Sequence, residues 1–497
     1  MLAGISKNTL LNLVGLLLPL FVGLLAIPLL LQGLGLERFG VLALAWAVIG
    51  YFSFFDMGLG RALTQAVASR LGTEPAQRIA RLAWTGLALM LVFSIIGASA
   101  VAALAPWLVQ SVLRIPAELQ AESSWAFFWM ALAIPAVVLT AGLVGILTAL
   151  QRFFLINALR IPLGVGMFGV PLLILPWSND LGHICAGLLL LRLLFLLLHL
   201  LACCKAYPTL RHTLGFEREF AGGLLRFGGW LTVSNVIGPL MVYMDRFWIA
   251  AVLSLAAVAH YVAPYEVVTR LLLISAALVA VLFPVFASSQ NAAERAGALK
   301  AYAFGVRVVL LALLPPILLL VLFAQAALQI WLGAEFAHQS AAVLQILALG
   351  VFINSYAQVP FAYIQGVGRA DITAKLHLLQ LPLYLGLLYG LLQLYGIVGV
   401  AMAWSLRIAL DALLLTWIAQ RLNPKLKQAT RQVAPLLLCS LAVLLAALVF
   451  ESTPSKLLFG AAALLLLGLL AWRSAAASEQ AAALRLLRRG AAAIKTR

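Results

Sequence analysis

FGGWLTVSNVIGPLMVYMDRFWIAAVLSLAAVAHYVAPYEVVTRLLLISAALVAVLFPVF, residues Phe227 to Phe286, holds two apolar runs of membrane-spanning length, and each carries charge. Asp245 and Arg246 lie in the first, Glu266 and Arg270 in the second. An apolar run of about 20 residues reads as a transmembrane helix. A charge near the centre of such a helix costs roughly 2.5–3.5 kcal/mol on the insertion scale, so these charges need partners, water or a task. The functional centre is therefore expected close to them.

The rest of the chain has the same character. Of its 497 residues 64% are hydrophobic and only 10% charged, and the mean hydropathy is +1.08. That balance belongs to an all-α integral membrane protein crossing the bilayer many times and excludes a soluble domain of this size. About 14 apolar segments can be marked, near 9–34, 39–58, 82–105, 125–149, 153–176, 183–203, 228–251, 259–286, 302–324, 341–364, 375–395, 397–420, 433–450 and 456–472. The first is too long for a signal-peptide core and lacks a small-x-small cleavage site, so it reads as a retained span. Four cysteines (Cys185, Cys203, Cys204, Cys439) and six histidines (His183, His199, His212, His260, His338, His377) show no metal-ligand spacing, and no metal or cofactor is expected.

A net charge of +17 would suit nucleic acid, but its distribution decides otherwise. Connections after even-numbered segments, with both termini, hold 26 of the 33 Lys and Arg, counting Arg160 and Arg307 among them. The opposite connections hold three, Arg38, Arg114 and Lys456, while Arg192, Arg246, Arg270 and Arg407 lie within segments. This is the positive-inside pattern; it places both termini in the cytoplasm and removes nucleic acid as a partner.

Pro19 and Pro28 interrupt the first span, which a membrane helix tolerates when neighbours or water satisfy the freed carbonyls. Asp56 and Arg61 close the second span at its inner edge, where snorkelling makes charge cheap. Gly164, Gly166 and Gly169 form a GxGxxG string, but no strand precedes it, and close helix packing explains it better. After the polar link Lys205–Arg226 the pattern restarts. A shift of 220 aligns Pro19 with Pro239, Pro162 with Pro382 and Gly166 with Gly386; a shift of 215 sets Arg192 on Arg407. Such a repeat predicts two lobes of six spans inserted the same way up, in pseudo-two-fold arrangement around a central cavity. The expected organisation is a first lobe over 1–204, a cytoplasmic linker over 205–226 and a second lobe over 227–421. Two additional transmembrane helices follow over 432–473. The basic tail over 474–497 suits an anionic lipid surface.

Counting at 1.5 Å per residue, Arg192, Arg270 and Arg407 share one level, roughly 14–18 Å from the outer face. Asp245, Arg246 and Glu266 lie nearer the outside and Asp411 nearer the inside. Glu266 and Arg270, like Arg407 and Asp411, are spaced to pair along one helix face. Two roles fit the set: ion pairs that hold helices together, or the wall of a shared aqueous cavity. A net-positive cavity suits an anionic solute, and the arginine fork suits phosphate. Prolines in segments one, five and seven, with Asn12 and Asn235 near Pro19 and Pro239, supply the broken helices typical of gates.

Several phrases resemble the polysaccharide and O-antigen flippases of the multidrug/oligosaccharidyl-lipid/polysaccharide exporter superfamily. They are Asn8, Asn12, Gly15 and Pro19, then Pro28 with LGLERFG at Leu34–Gly40, Tyr51, and DMGLGRAL at Asp56–Leu63. Further ones are Gly145, Gln151, Arg152 and Asn157, Tyr261 with Pro284, and Gln365, Gly366 and Arg369; together they cover about residues 1–420. The resemblance implies alternating access and translocation of undecaprenyl-diphosphate-linked oligosaccharide across the bacterial cytoplasmic (inner) membrane. It implies coupling to an H+ or Na+ gradient, in keeping with the lack of a P-loop. Implied partners are the lipid-linked oligosaccharide, membrane lipids, and polysaccharide polymerase or assembly proteins. A multidrug-type exporter is the nearest rival, although its cavity is expected to be acidic. A membrane glycosyltransferase or polymerase would need larger loops to hold catalytic groups than this chain has.

Overall fold

The computed structural model describes the backbone of residues 2–54, 59–113, 115–287, 292–450 and 452–474. Side chains are described from Phe21 to Leu470 apart from short stretches, of which 225–239 is the longest. The described residues fold into helices: α1 (Leu2–Phe54), α2 (Leu59–Arg70), α3 (Ala76–Trp107), α4 (Ala117–Ala149), α5 (Phe153–Ile174), α6 (Leu181–Ala206), α7 (Thr209–His212) and α8 (Arg218–Val252). They continue as α9 (Leu255–Thr269), α10 (Leu272–Ala287), α11 (Ala292–Leu322), α12 (Ala324–Leu332), α13 (Ala334–Gly366), α14 (Ala370–Leu422), α15 (Leu426–Ala446) and α16 (Thr453–Ser474). Helices are what an apolar chain must form in lipid, where no water satisfies the backbone. Among the described residues, 11 helical stretches are long and apolar enough to cross a membrane. The chain is a multi-pass membrane protein.

Two of the helices each join two arms across a break. α1 breaks at Gly35 (φ 76°, ψ 171°) and α14 at Gly396 (φ 57°, ψ −138°), conformations open essentially only to glycine. These breaks fall in the connections expected between 34 and 39 and between 395 and 397. The span expected over 259–286 differs: it begins at Leu255 and is interrupted after Thr269. Arg270 and Leu271 donate to Val267 and Val268 at 3.3 and 3.1 Å, and Leu273 and Ile274 to Arg270 and Leu271 at 3.1 Å. These i→i+3 bonds make a tight 3₁₀-type turn inside the apolar run.

By compactness the chain divides into one unit of residues 1–263 with 377–400 and another of 264–376 with 401–497. In the first unit α4 is the hub, packing against α1, α2, α3 and α6. Small residues allow this: a Cβ on Gly145 would lie 2.7 Å from Thr64 Oγ1 and 2.9 Å from the Gly60 carbonyl oxygen. The opposite stripe of α6, with Leu190, Leu193, Leu194, Leu197 and Leu201, is exposed and apolar, a face for lipid tails. Of the GxGxxG glycines, Gly166 packs against Leu191, whose Cδ2 would lie 2.8 Å from an added Cβ, whereas a Cβ on Gly169 would meet nothing. In the second unit α13 is the hub for α10, α11 and α12.

Local geometry also reveals the repeat. The hub helices α4 and α13 are both 33 residues long, and α6 and the second arm of α14, 397–422, both span 26. α4 ends in a turn where Gln151 and Arg152 donate to Thr148 and Leu147 at 2.9 Å. The same turn recurs 217 positions on, where Gly368 and Arg369 donate to Gln365 and Ile364 at 3.0 and 3.1 Å. Gln151 and Gly368 both take positive φ, 55° and 81°. The two halves therefore share a backbone template at a shift of 216–217.

Residues 205–226 pack onto α3. Trp84 Nε1 donates to the Leu210 carbonyl at 3.1 Å, Tyr207 to that of Ala76 at 3.3 Å, and the Glu217 N–H to Thr85 Oγ1 at 2.9 Å. Arg81 pairs with Glu217 at 3.0 Å, and Arg70 and Arg78 flank the Phe220 ring.

Candidate functional site

In the first unit, α8 presents Asp245 and Arg246, and the packing of α9 beside it determines their surroundings. Asp245 is fully buried and Arg246 is 2% exposed. Oδ2 of Asp245 accepts the Tyr261 hydroxyl at 2.7 Å, and Oδ1 accepts the Arg246 N–H at 2.7 Å. The Arg246 guanidinium lies 5.1 Å from the centre of the Tyr243 ring. Burial of a carboxylate in an apolar setting is tolerable only with such donors. The resulting Asp245–Tyr261 link ties α8 to α9.

Arg192 lies on the stripe of α6 that carries the buried residues Cys185, Leu188, Phe195, His199 and Cys203, and it is half-buried among them. Its buried Nε has no hydrogen-bond partner among the described residues.

In the second unit, Glu266 closes the last turn of α9 and Arg270 stands in the tight turn that follows. Arg270 donates to Glu266 Oε2 at 2.8 Å, with side chains 39% and 26% exposed. Tyr265, next to Glu266, meets Trp404 of α14 edge to face, the ring centres 5.9 Å apart. Trp404 in turn packs against Gly350 of the hub helix. Arg407 is one turn beyond Trp404, and Asp411 one turn further; both are half-buried. The Tyr265–Trp404 contact thus brings the Glu266–Arg270 and Arg407–Asp411 segments onto adjoining elements of this unit.

Arg192 and Arg407 are not equivalent in the structural repeat. Arg192 is the twelfth residue of α6 and Arg407 the eleventh of the 397–422 arm, so a register of 216 pairs Arg407 with Leu191. One residue is about 100° of helix rotation, so the two positions fall on different faces of their respective helices. Of the gating and inner-edge candidates, Asp56 lies outside the described residues, and the side chains of Asn12, Pro19, Arg61, Asn235 and Pro239 lie outside those described.

Two charged residues escaped the sequence reading. Arg307, counted with the basic connections, lies inside α11 and is 7% exposed. Its apolar surroundings, FGVRVVLL, were the available signal. Glu122, 8% exposed, accepts Arg38 Nε at 2.9 Å and the N–H of Leu181, the first residue of α6, at 3.1 Å. It joins α1 just past the Gly35 break to α4 and α6, across 84 and 59 residues of sequence, a range at which local pattern carries no signal.

The family described as polysaccharide biosynthesis protein matches residues 5–290. A Shigella flexneri protein described as "Putative O-antigen transporter" is 31% identical over 422 residues, which cover 84% of this chain and 98% of the relative. Among solved structures, the lipid II flippase MurJ in an inward closed conformation superposes with a TM-score of 0.71 at 14% identity, covering 94% of this chain and 99% of that one. An inward-facing multidrug resistance MATE family transporter of the MOP superfamily gives 0.70 at 15% identity, covering 84% and 99%. At these identities the structures share the fold.

Proposed function

The chain belongs to the polysaccharide biosynthesis protein family, and from that premise we propose that it is a flippase. Its substrate is undecaprenyl-diphosphate-linked oligosaccharide, moved from the inner to the outer leaflet of the bacterial cytoplasmic membrane for O-antigen or related surface polysaccharide. The observation that carries this is the likeness, over nearly the whole relative, to a protein whose description is O-antigen transport. The half-buried Arg192, Arg270 and Arg407 support it, because cations in apolar helices are costly and arginine suits a diphosphate.

In this proposal two six-helix lobes alternate access to the two leaflets, driven by an H+ or Na+ gradient. Both termini lie in the cytoplasm, and polysaccharide polymerase or assembly proteins receive the product. Glu266, Arg270, Arg407, Asp411 and Arg192 serve substrate binding, whereas Asp245 and Arg246 brace α8 against α9. Asn12, Pro19, Asp56, Arg61, Asn235 and Pro239 serve the gates.

Arg270→Ala and Arg407→Ala test this in cells. Surface polysaccharide is expected to fall sharply while the protein stays inserted, and lysine at either position should restore it only in part. Near-normal polysaccharide in both single variants would return these residues to helix pairing. Purified protein should also bind a prenyl-diphosphate glycan unaltered; a change in glycan length or linkage would defeat the transporter assignment.

A further inference from the structure

Glu266 and Arg270 form an ion pair at the end of α9. Arg270 stands in the i→i+3 turn between α9 and α10, so the pair bridges a helix end to a turn and not two residues of one continuous helix. The contact is single-point: one amino group of Arg270 meets one carboxylate oxygen at 2.8 Å. A guanidinium can grip an oxyanion at two points, so this pairing leaves part of its capacity unused. Both side chains leave part of their surface uncovered, 39% and 26%, so that an incoming oxyanion can reach the guanidinium.

From this geometry we propose that Glu266 is a built-in competitor for Arg270, an affinity-setting residue that occupies the guanidinium until a diphosphate displaces it and reclaims it when the diphosphate must leave. This rests on the assignment of a diphosphate substrate above. A transport site must bind well enough to load and weakly enough to release. An intramolecular carboxylate meets both needs because it lowers apparent affinity by the fraction of time the pair is closed. A pair closed roughly 70–90% of the time raises the apparent Kd about three- to tenfold. The same carboxylate supplies a local replacement anion at the moment of release, so the half-buried arginine is never left bare.

The test uses the full chain in phosphatidylcholine nanodiscs with undecaprenyl diphosphate as the probe. Glu266→Gln, which keeps size and polarity but removes the charge, is expected to bind three- to tenfold more tightly, with slower dissociation. In cells the same variant is expected to export less surface polysaccharide. Tighter binding combined with slower export is a pairing that loss of a structural brace would not give. Glu266→Asp, whose shorter arm weakens the contact, should bind about two- to threefold more tightly and carries the test if the Gln variant does not accumulate. Binding equal to or weaker than wild type in these variants, with Arg270→Ala losing binding, overturns the competitor role and leaves the flippase assignment standing. Absence of undecaprenyl diphosphate binding by the wild type overturns both.

Discussion

Replacing Glu122 by alanine should destabilise the first unit by about 2–4 kcal/mol. Its carboxylate is 8% exposed and accepts two donors, Arg38 Nε at 2.9 Å and the Leu181 N–H at 3.1 Å. Hydrogen bonds to a charged group are worth about 1.5–3 kcal/mol each. The sum is discounted because Arg38 keeps 32% exposure and re-solvates once released. Arg38 and Leu181 reach different oxygens of Glu122, so Glu122→Gln, with one acceptor oxygen left, keeps only one of the two bonds and should cost about 1–2 kcal/mol. Arg38→Gln leaves a nearly enclosed carboxylate with a single donor and should fall between the two. In a double-mutant cycle Arg38 and Glu122 should couple by about 1–2 kcal/mol. The assay is the thermal midpoint of purified protein in detergent, followed by fluorescence-detected size exclusion. At this chain length about 2 °C or less is expected per kcal/mol, so the order wild type, Gln, Ala should span several degrees. A Glu122→Ala midpoint within about 1 °C of wild type, or strict additivity in the cycle, would refute the reasoning.

Gly35→Ala should lower stability by about 1–3 kcal/mol with no steric clash, since a Cβ there meets nothing and only the backbone conformation (φ 76°, ψ 171°) opposes it; an unchanged melting midpoint would contradict this. Gln151→Gly should raise stability by up to about 1 kcal/mol, because Gln151 holds a positive φ of 55° where the second half of the chain has glycine. Gly368→Ala should do the reverse by about 1 kcal/mol, and opposite shifts of the two midpoints are the check. Tyr261→Phe should cost about 1–3 kcal/mol by removing a donor from the buried Asp245, measured in the same way, and Tyr261→Ala should cost more.

The multi-pass, all-helical character was legible in the chain because bilayer thickness converts directly into run length. The breaks at Gly35 and Gly396 were legible as connections, since few other residues could occupy those conformations. The site was legible in part: the i,i+4 spacing anticipated the Glu266–Arg270 pair, a local property of helix geometry. The turn that carries Arg270 was not, because residues 259–286 are long and apolar enough to read as one span, with no glycine to mark where i→i+3 bonds replace the helical ladder. Nor could the sequence separate Asp245, enclosed by Tyr261, from the more open charges, or find Arg307 inside α11 and Glu122 beneath Arg38. Composition and periodicity alone determined that this chain crosses the membrane many times and carries charge within it. Which charge is enclosed, which is paired and which stays open was decided by tertiary packing, because partners tens of residues apart meet only when their helices do.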